Sequence, residues 1–171
     1  KKIIILGGDG YLGWPVAMFL AKNNYEVLVI DDYSKRKICK ELGLKSLCPV
    51  KKLDLRTRSW NKISKNKIQF KIQNLRNYQQ SKEIFDDFQP ECVIHFAEQP
   101  SAPYSMMNYK AASFTLKNNL ETTLNLAYLV NNLETKAHII KLGTMGEYGT
   151  PNIDIEEGFI NIRHKNREDN F

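Results

Sequence analysis

The feature that most constrains this chain is a glycine-rich loop that follows its first predicted strand. Lys2 to Leu6 is a short β-branched run, the pattern of a fully buried strand. The loop Gly7–Gly13 has the spacing G-x-x-G-x-x-G, and Tyr11 to Lys22 is predicted to form a helix with one apolar face. Glycine is needed where a chain turns sharply or where its backbone approaches a phosphate closely. The loop therefore predicts a phosphate-binding turn at a helix N-terminus.

An acidic residue follows the second predicted strand, Tyr25 to Ile30. Asp31 lies about 20 residues beyond the loop, where a carboxylate accepts hydrogen bonds from the ribose hydroxyls of a dinucleotide. A carboxylate there also repels a 2′-phosphate, which favours NAD over NADP. Arg36 opposes that preference, because an arginine nearby can pair with a 2′-phosphate. A plain βα turn with a surface acid is the alternative, but the three features together predict dinucleotide binding.

The rest of the chain alternates predicted strands with predicted helices. The further strands are Ile68–Ile72, Glu91–Phe96 and Ala137–Leu142, and the further helices are Ser34–Leu42, Tyr78–Phe88 and about Asn108–Leu133. This order predicts an α/β fold with a Rossmann-type, doubly wound parallel sheet. Beyond Gly149 we expect an alternating strand at Phe159–Ile162 and a polar turn at His164–Arg167. No linker interrupts the chain, so residues 1–171 are expected to form one NAD-binding domain, truncated in its C-terminal, substrate-binding part.

The positive charge of the chain raises the hypothesis of nucleic-acid binding. The net charge is +6, and the excess lies between Lys51 and Lys71. Lysine outnumbers arginine there, and Trp60 and Phe70 are a poor stacking platform. We therefore expect a solvated surface segment and no nucleic-acid partner.

Cysteine usage and hydropathy limit the cellular compartments in which the protein is expected. Cys39, Cys48 and Cys92 are odd in number and lack C-x-x-C spacing, which disfavours a disulfide framework and a zinc site, and no other metal site is predicted. No apolar run approaches the roughly 20 residues of a membrane span, and the first residues are too short an apolar run for a signal peptide. A cytoplasmic location is expected, or the plastid stroma if the source is a photosynthetic eukaryote.

Three further segments extend the similarity of the chain to known proteins. They are His95–Met106 (HFAEQPSAPYSM), Asn118-Asn119 with Thr123–Asn125, and Lys141–Gly158 (KLGTMGEYGTPNIDIEEG). With the glycine loop they resemble the extended short-chain dehydrogenase/reductases, the NAD-dependent epimerases and dehydratases of nucleotide sugars. The first and third segments resemble, among these, the UDP-sulfoquinovose synthase family of sulfolipid biosynthesis, and the resemblance covers the whole chain.

The resemblance implies a reaction of UDP-glucose and sulfite, or a sulfite donor, with NAD as cofactor. The sugar is oxidised at C4, water is eliminated from C6, a sulfite equivalent adds to the enone, and hydride returns to C4. Thr144 then hydrogen-bonds the C4 oxygen, Glu147 is the acid or base of the elimination, and Met145 lines the sugar pocket. A backbone-bonded strand-end threonine and a solvated loop carboxylate are the alternatives for the first two. Ser101 and Tyr104 are expected at the sugar and sulfonate end.

The same resemblance implies a set of cofactor contacts at the ends of the strands and on the long helix. These are Gly7, Gly10, Tyr11, Leu12, Gly13, Asp31, Asp32, Arg36, Asn74, Leu75, Phe96, Ala97, Glu98, Gln99, Asn118 and Leu142. For Asn118 the alternative is a hydrogen bond between the helix and a neighbouring element. His95 is interpreted as a satisfied histidine in or near the core.

Several positions depart from the family pattern. Asn74 stands where the family has Asp, Thr122 stands where it has Gly, and Pro100 replaces an Arg before Ser-Ala-Pro-Tyr-Ser-Met. Pro100 favours the alternative of a UDP-glucose epimerase or 4,6-dehydratase relative without sulfonate chemistry.

The resemblance also implies that the chain is an N-terminal fragment. Family members are longer and carry a Tyr-x-x-x-Lys pair soon after the segment that ends here. No tyrosine at that place is followed four residues later by lysine. The fragment alone is therefore expected to be inactive, and the full-length enzyme is expected to form a homodimer. A module that only binds NAD is the remaining alternative.

Overall fold

The structure is a computed structural model, and it describes residues 1–144, 149, 158–159 and 161–170. The chain divides into two compact units, Lys1–Lys141 and Leu142–Phe171.

The first unit is built on a five-stranded sheet. Its strands are β1 (Lys2–Leu6), β2 (Glu26–Asp31), β3 (Ile68–Ile72), β4 (Cys92–His95) and β5 (His138–Lys141). All neighbours pair in parallel in the order β3-β2-β1-β4-β5. The chain thus moves outward from β1 to β3 and returns to the other side of β1, which is the doubly wound order predicted from the sequence. The topological switch point lies between β1 and β4, and the glycine loop follows β1 there.

Helices connect the strands. They are α1 (Gly13–Lys22), α2 (Ser34–Glu41), α3 (Leu53–Ile63), α4 (Tyr78–Phe88), α5 (Ala102–Ser105) and α6 (Tyr109–Asn131). The short α5 and the longer α3 were not predicted.

Helix α3 corrects the interpretation of the basic segment. Leu53 and Thr57 are buried and Trp60 is partly buried, at positions i, i+4 and i+7 of one helix face. The charged residues between them, Asp54, Arg56 and Arg58, hide this buried face in the sequence. The segment is therefore not a wholly solvated surface, because one of its faces packs against the sheet layer.

The core lies on both faces of the sheet. Ile4 and Leu6 of β1 enter one buried cluster, with Phe85 of α4 and Leu126 of α6. Ile3 and Ile5 enter another, with residues of α1 and α3 that include Trp14, Ala17 and Leu53. Successive strand residues point to opposite faces, so the continuous apolar run of β1 is what a sheet covered on both sides requires.

The second unit contains an antiparallel pair. Strand β6 (Asn161–His164) pairs with β7 (Arg167–Asn170) across a turn in which Lys165 has φ +55°. The predicted strand is thus found two residues later than expected, and the predicted polar turn lies between the two strands. The sequence of β7, Arg-Glu-Asp-Asn, has no apolar alternation, so nothing in its pattern marks it as a strand.

No helix within the described ranges is both long enough and apolar enough to cross a bilayer.

Two phenylalanines give a matched test of the core. Phe85 of α4 is fully buried, whereas Phe19 of α1 is 66% exposed. Phe85→Ala should lower the free energy of unfolding by about 3–5 kcal/mol, because a large cavity is left. Phe19→Ala should change it by about 0.5 kcal/mol or less. Urea unfolding followed by circular dichroism measures both, and equal losses would contradict this placement of the core.

Candidate functional site

The glycine loop packs directly against the end of β4. Gly7 has φ +82°, and its N–H donates to the carbonyl of Ile30 at 2.8 Å. A Cβ on Gly7 would lie 2.7 Å from the carbonyl carbon of Phe96 and 2.8 Å from the amide nitrogen of Ala97. Only glycine fits both the backbone angle and the space. The loop after β1, the end of β2 and the residues after β4 are therefore brought together, as the cofactor prediction requires.

Helix α1 begins immediately at this loop. A Cβ on Gly13 would lie 2.7 Å from the Cα of Gly8, so the first turn of the helix is held against the loop backbone. Within the described residues no side chain caps the helix at Leu12. Tyr11 and Leu12 are exposed. An uncapped helix N-terminus beside a glycine turn is the arrangement that binds a pyrophosphate.

Asp31 is fixed by two backbone amides at the end of β2. Its Oδ2 accepts from the Asp9 N–H at 2.9 Å, and its Oδ1 accepts from the Tyr33 N–H at 2.7 Å. Burial raises the pKa of Asp31, and these two hydrogen bonds oppose the rise. A carboxylate has about four acceptor positions, so two remain for other donors. The carboxylate predicted to bind ribose is thus oriented beside the glycine loop.

Asp32 and Asn74, both predicted cofactor contacts, bond to each other. The Asp32 carboxylate accepts from the N–H and hydroxyl of Ser34 at 2.7 and 2.6 Å, and from the Asn74 amide at 3.0 Å. An ionised aspartate at position 74 has no proton to donate and would place a second carboxylate against Asp32. The departure of Asn74 from the family pattern therefore has a local explanation.

A charged cluster inside the loop was not predicted. Asp9 accepts from Arg36 Nε at 2.5 Å and from its Nη2 at 2.9 Å, and Asp9 also pairs with Arg56. The side chain of Asp9 is only 10% exposed. The hydrogen bond with Asp9 is the main cause that raises the pKa of Arg36. Arg36, a candidate partner of a 2′-phosphate, is therefore already engaged. The one signal in the sequence was an aspartate within a loop otherwise free of charge.

His95 lies beneath the site at the end of β4. It is buried as expected, and its Nδ1 accepts from the Ala97 N–H at 3.2 Å. Within the described residues its buried Nε2 has no hydrogen-bond partner, so the interpretation as a fully satisfied histidine was wrong. Glu98 Oε1 lies 3.9 Å from this nitrogen and 2.8 Å from Lys141 Nζ. Burial lowers the pKa of His95 to about 4, so the ring is neutral near pH 7.

Helix α6 holds the loop after β4 through two asparagines. Asn119 accepts from the Gln99 N–H at 2.9 Å and donates to the Gln99 carbonyl at 3.1 Å. Asn118 donates to the Ala97 carbonyl at 3.3 Å, which is the alternative role considered for it. The Gln99 side chain accepts from the Ser101 N–H at 2.9 Å. In the sequence Asn119 is only part of a motif, and its positioning role is seen first in the structure.

Two further predicted residues have structural roles. The hydroxyl of Ser101 accepts from the Tyr104 N–H at 3.3 Å and caps α5. Leu75 is 5% exposed in the core, and its carbonyl accepts from Asn125 at 2.8 Å. A cofactor contact by the Leu75 side chain therefore has little surface available.

The predicted cofactor contact Leu142 and the predicted sugar-site residues Thr144, Met145 and Glu147 belong to the second unit or are not described. Leu142 and Thr144 follow β5 and are exposed. Met145 and Glu147 lie outside the described residues. Their roles stay predictions.

The buried His95 predicts a pH dependence of stability. Its pKa in the folded protein, about 4, lies below the ordinary value of 6.5 that applies on unfolding. The unfolded chain therefore binds more protons, and the free energy of unfolding falls as the pH drops from 6.5 towards 4. Between pH 7 and pH 5.5 the expected loss is about 1 kcal/mol.

Urea unfolding at these two pH values measures the loss. His95→Gln should remove most of it, whereas His138→Gln, at an exposed position of β5, should retain it. The same pH dependence in the native protein and in His95→Gln would assign the effect to other groups.

Comparison with known proteins places this site in a family. The model of the NAD dependent epimerase/dehydratase family matches residues 3–167. The chain is 43% identical over 169 residues to the chloroplastic UDP-sulfoquinovose synthase of Spinacia oleracea, covering 99% of this chain and 35% of that protein. It is 42% identical over 156 residues to the UDP-sulfoquinovose synthase of Sulfolobus acidocaldarius, covering 91% and 40%.

A solved structure agrees with the fold. The UDP-Glc/GlcNAc 4-epimerase of Campylobacter jejuni is similar with a TM-score of 0.65 and 27% identity, covering 90% of this chain and 40% of that one. The chain thus spans well under half the length of the proteins it matches. The predicted resemblance and the predicted Rossmann-type fold are confirmed, and NAD, the predicted cofactor, is the one for which the family is named. The chain belongs to the NAD dependent epimerase/dehydratase family.

Proposed function

We propose that this chain is the NAD-binding portion of an enzyme that converts UDP-glucose and sulfite to UDP-sulfoquinovose. The observation that carries the proposal is the 43% identity to a UDP-sulfoquinovose synthase over 99% of the chain. The geometry of the glycine loop and Asp31 supports the cofactor part of the proposal.

The residues of the first unit suit a dinucleotide. Glycine lets the loop at the start of α1 pack against Phe96, and a glycine-rich turn at a helix N-terminus allows a pyrophosphate to lie close to the main chain. We assign the ribose hydroxyls of the adenosine half to Asp31, whose carboxylate retains free acceptor positions. Asn74 and Asp32 extend the same edge toward the adenine. The loop from Phe96 to Gln99, held by Asn118 and Asn119, is assigned to the nicotinamide half.

We assign the chemistry on the sugar to residues that follow β5. NAD⁺ when bound supplies the hydride acceptor. We propose that Thr144 hydrogen-bonds the C4 oxygen of the sugar and so eases its deprotonation. Glu147 is proposed to move the proton during elimination of water between C5 and C6, and Met145 to line the pocket. Ser101 and Tyr104 are proposed at the sulfonate end, where Tyr104 packs edge-on against Phe114 at 6.3 Å between ring centroids.

A second candidate is an epimerase or dehydratase of UDP-glucose. Pro100 favours it, because the family of sulfoquinovose synthases has an arginine there that suits an anionic substrate group. The likeness to a UDP-Glc/GlcNAc 4-epimerase at 27% identity is also consistent with it. The product of the reaction distinguishes the two.

An exposed apolar stripe on α6 supports the proposal of a homodimer. Leu116, Leu120, Leu124 and Tyr128 recur every four residues and are 57–63% exposed. Residues at this spacing share one helix face. Removing four large apolar side chains from water lowers the free energy of the protein. A second copy of the same helix is the partner that we propose for this surface.

We propose a reducing compartment, the cytoplasm or a plastid stroma. The three cysteines are free, as they are in proteins of such compartments. The spinach relative is named chloroplastic.

Product analysis tests the proposed function. The complete gene product, given UDP-glucose, NAD⁺ and sulfite, should form a UDP-sugar with a sulfonate at C6, detected by mass spectrometry. Thr144→Ala should lower turnover by about a hundredfold or more, because the C4 oxygen loses its hydrogen-bond partner. Glu147→Gln should block product while bound NADH still accumulates, since oxidation at C4 precedes the elimination.

Two controls sharpen this experiment. Glu134→Gln removes a carboxylate from an exposed position before β5 and should leave turnover unchanged. The 171-residue chain by itself should form no product. UDP-galactose as the sole product would decide for the epimerase, and full activity of Glu147→Gln would remove the role given to that residue.

A further inference from the structure

We propose that Asp9 determines the preference for NAD⁺ over NADP⁺: its carboxylate occupies, between Arg36 and Arg56, the anion position that the 2′-phosphate of NADP⁺ would take. The inference rests on the proposed binding of a dinucleotide at the glycine loop. It adds a residue that the family resemblance did not assign, and it explains why a site with two arginines favours the cofactor without a phosphate.

Two guanidinium groups converge on one carboxylate. Arg36 donates from Nε to Oδ2 of Asp9 at 2.5 Å and from Nη2 to Oδ1 at 2.9 Å. Arg56 pairs with Oδ1 and also donates to the Asp9 carbonyl at 3.1 Å. Guanidinium groups that donate paired hydrogen bonds to an oxyanion are a common arrangement for binding carboxylates and phosphates in proteins. Here the anion is supplied by the chain itself.

The filled anion site adjoins the carboxylate assigned to the ribose. The Asp9 N–H donates to Oδ2 of Asp31 at 2.9 Å, so the two acidic residues are in direct contact. Arg36 lies over the ring of Tyr33, whose N–H donates to the other oxygen of Asp31. A phosphate on the 2′ oxygen of a ribose held by Asp31 would therefore meet the negative charge of Asp9. Both nearby arginines are already hydrogen-bonded to that carboxylate, which cancels one of their two positive charges and so weakens their attraction for the phosphate.

The two arginines do not depend on Asp9 alone for their positions. Arg36 donates to the carbonyls of Val50 and Lys51 at 2.9 and 3.0 Å. The Arg56 guanidinium stacks 4.8 Å from the ring centre of Trp14. Removing the charge of Asp9 while keeping its shape should therefore leave the guanidinium groups in place and without an anionic partner.

Isothermal titration of the complete gene product with NAD⁺ and NADP⁺ tests the inference. The native protein should bind NAD⁺ more tightly. Asp9→Asn should raise the affinity for NADP⁺ by about tenfold or more, the effect of gaining charged hydrogen bonds to phosphate, and should change the affinity for NAD⁺ far less. Adenosine 2′,5′-bisphosphate should gain affinity in the variant, whereas adenosine 5′-monophosphate should not.

Two further variants separate a specific effect from a general loss of negative charge. Asp54→Asn removes a carboxylate two residues before Arg56. Within the described residues Asp54 forms no ion pair with either arginine, so this variant should keep the native preference. Arg36→Ala in the Asp9→Asn background should cancel the gain for NADP⁺.

The outcomes distinguish this inference from the proposed function. A native protein that binds neither dinucleotide overturns the proposed function and the inference with it. A native protein that prefers NAD⁺, with no gain in Asp9→Asn or an equal gain in Asp54→Asn, overturns the inference alone. Equal native affinities for NAD⁺ and NADP⁺ also overturn it, whether or not the Asp9→Asn variant folds.

Discussion

The contact of the Gly7 backbone with the backbone of Phe96 and Ala97 is the constraint on which the site depends. Parallel pairing of β1 with β2 and β4 brings three strand ends to one edge of the sheet. The chain leaving β1 must then turn within a space that has no room for a Cβ, at a backbone angle that glycine adopts freely. This turn sets where α1 begins, and it places the Asp9 N–H on the carboxylate of Asp31.

The two ends of this edge hold polar groups in different ways. At the end proposed to bind adenosine, Asp9 and Asp31 lie side by side, and two arginines and two backbone amides compensate their charges. At the other end, His95 lies 3.9 Å from Glu98, which pairs with Lys141, and the ring stays neutral near pH 7 because it is buried. We propose that the first arrangement discriminates among anions, whereas the second keeps a polar group within the sheet edge without adding a charge.

Local sequence patterns predicted the sheet, but they did not predict the pairings between side chains that are far apart in the sequence. The apolar strand runs, their alternation with helices and the glycine spacing were sufficient for the five parallel strands and the place of Asp31. Helix α3 was missed because its three inward-facing residues are separated by charged and polar ones. The pairing of Asp9 with Arg56 joins residues 47 positions apart, and no spacing rule connects them. Likewise, the presence of Asn rather than Asp at position 74 is explained only by its hydrogen bond to Asp32 in the structure.

The crystal structure of the complete gene product with NAD⁺ tests the central claim most directly. We expect the hydroxyls of the adenosine ribose within hydrogen-bond distance of the Asp31 carboxylate, with the pyrophosphate over the glycine loop. We also expect Asp9 to stay paired with both Arg36 and Arg56. An adenosine bound away from Asp31, or Arg36 turned from Asp9 onto the cofactor, would contradict it.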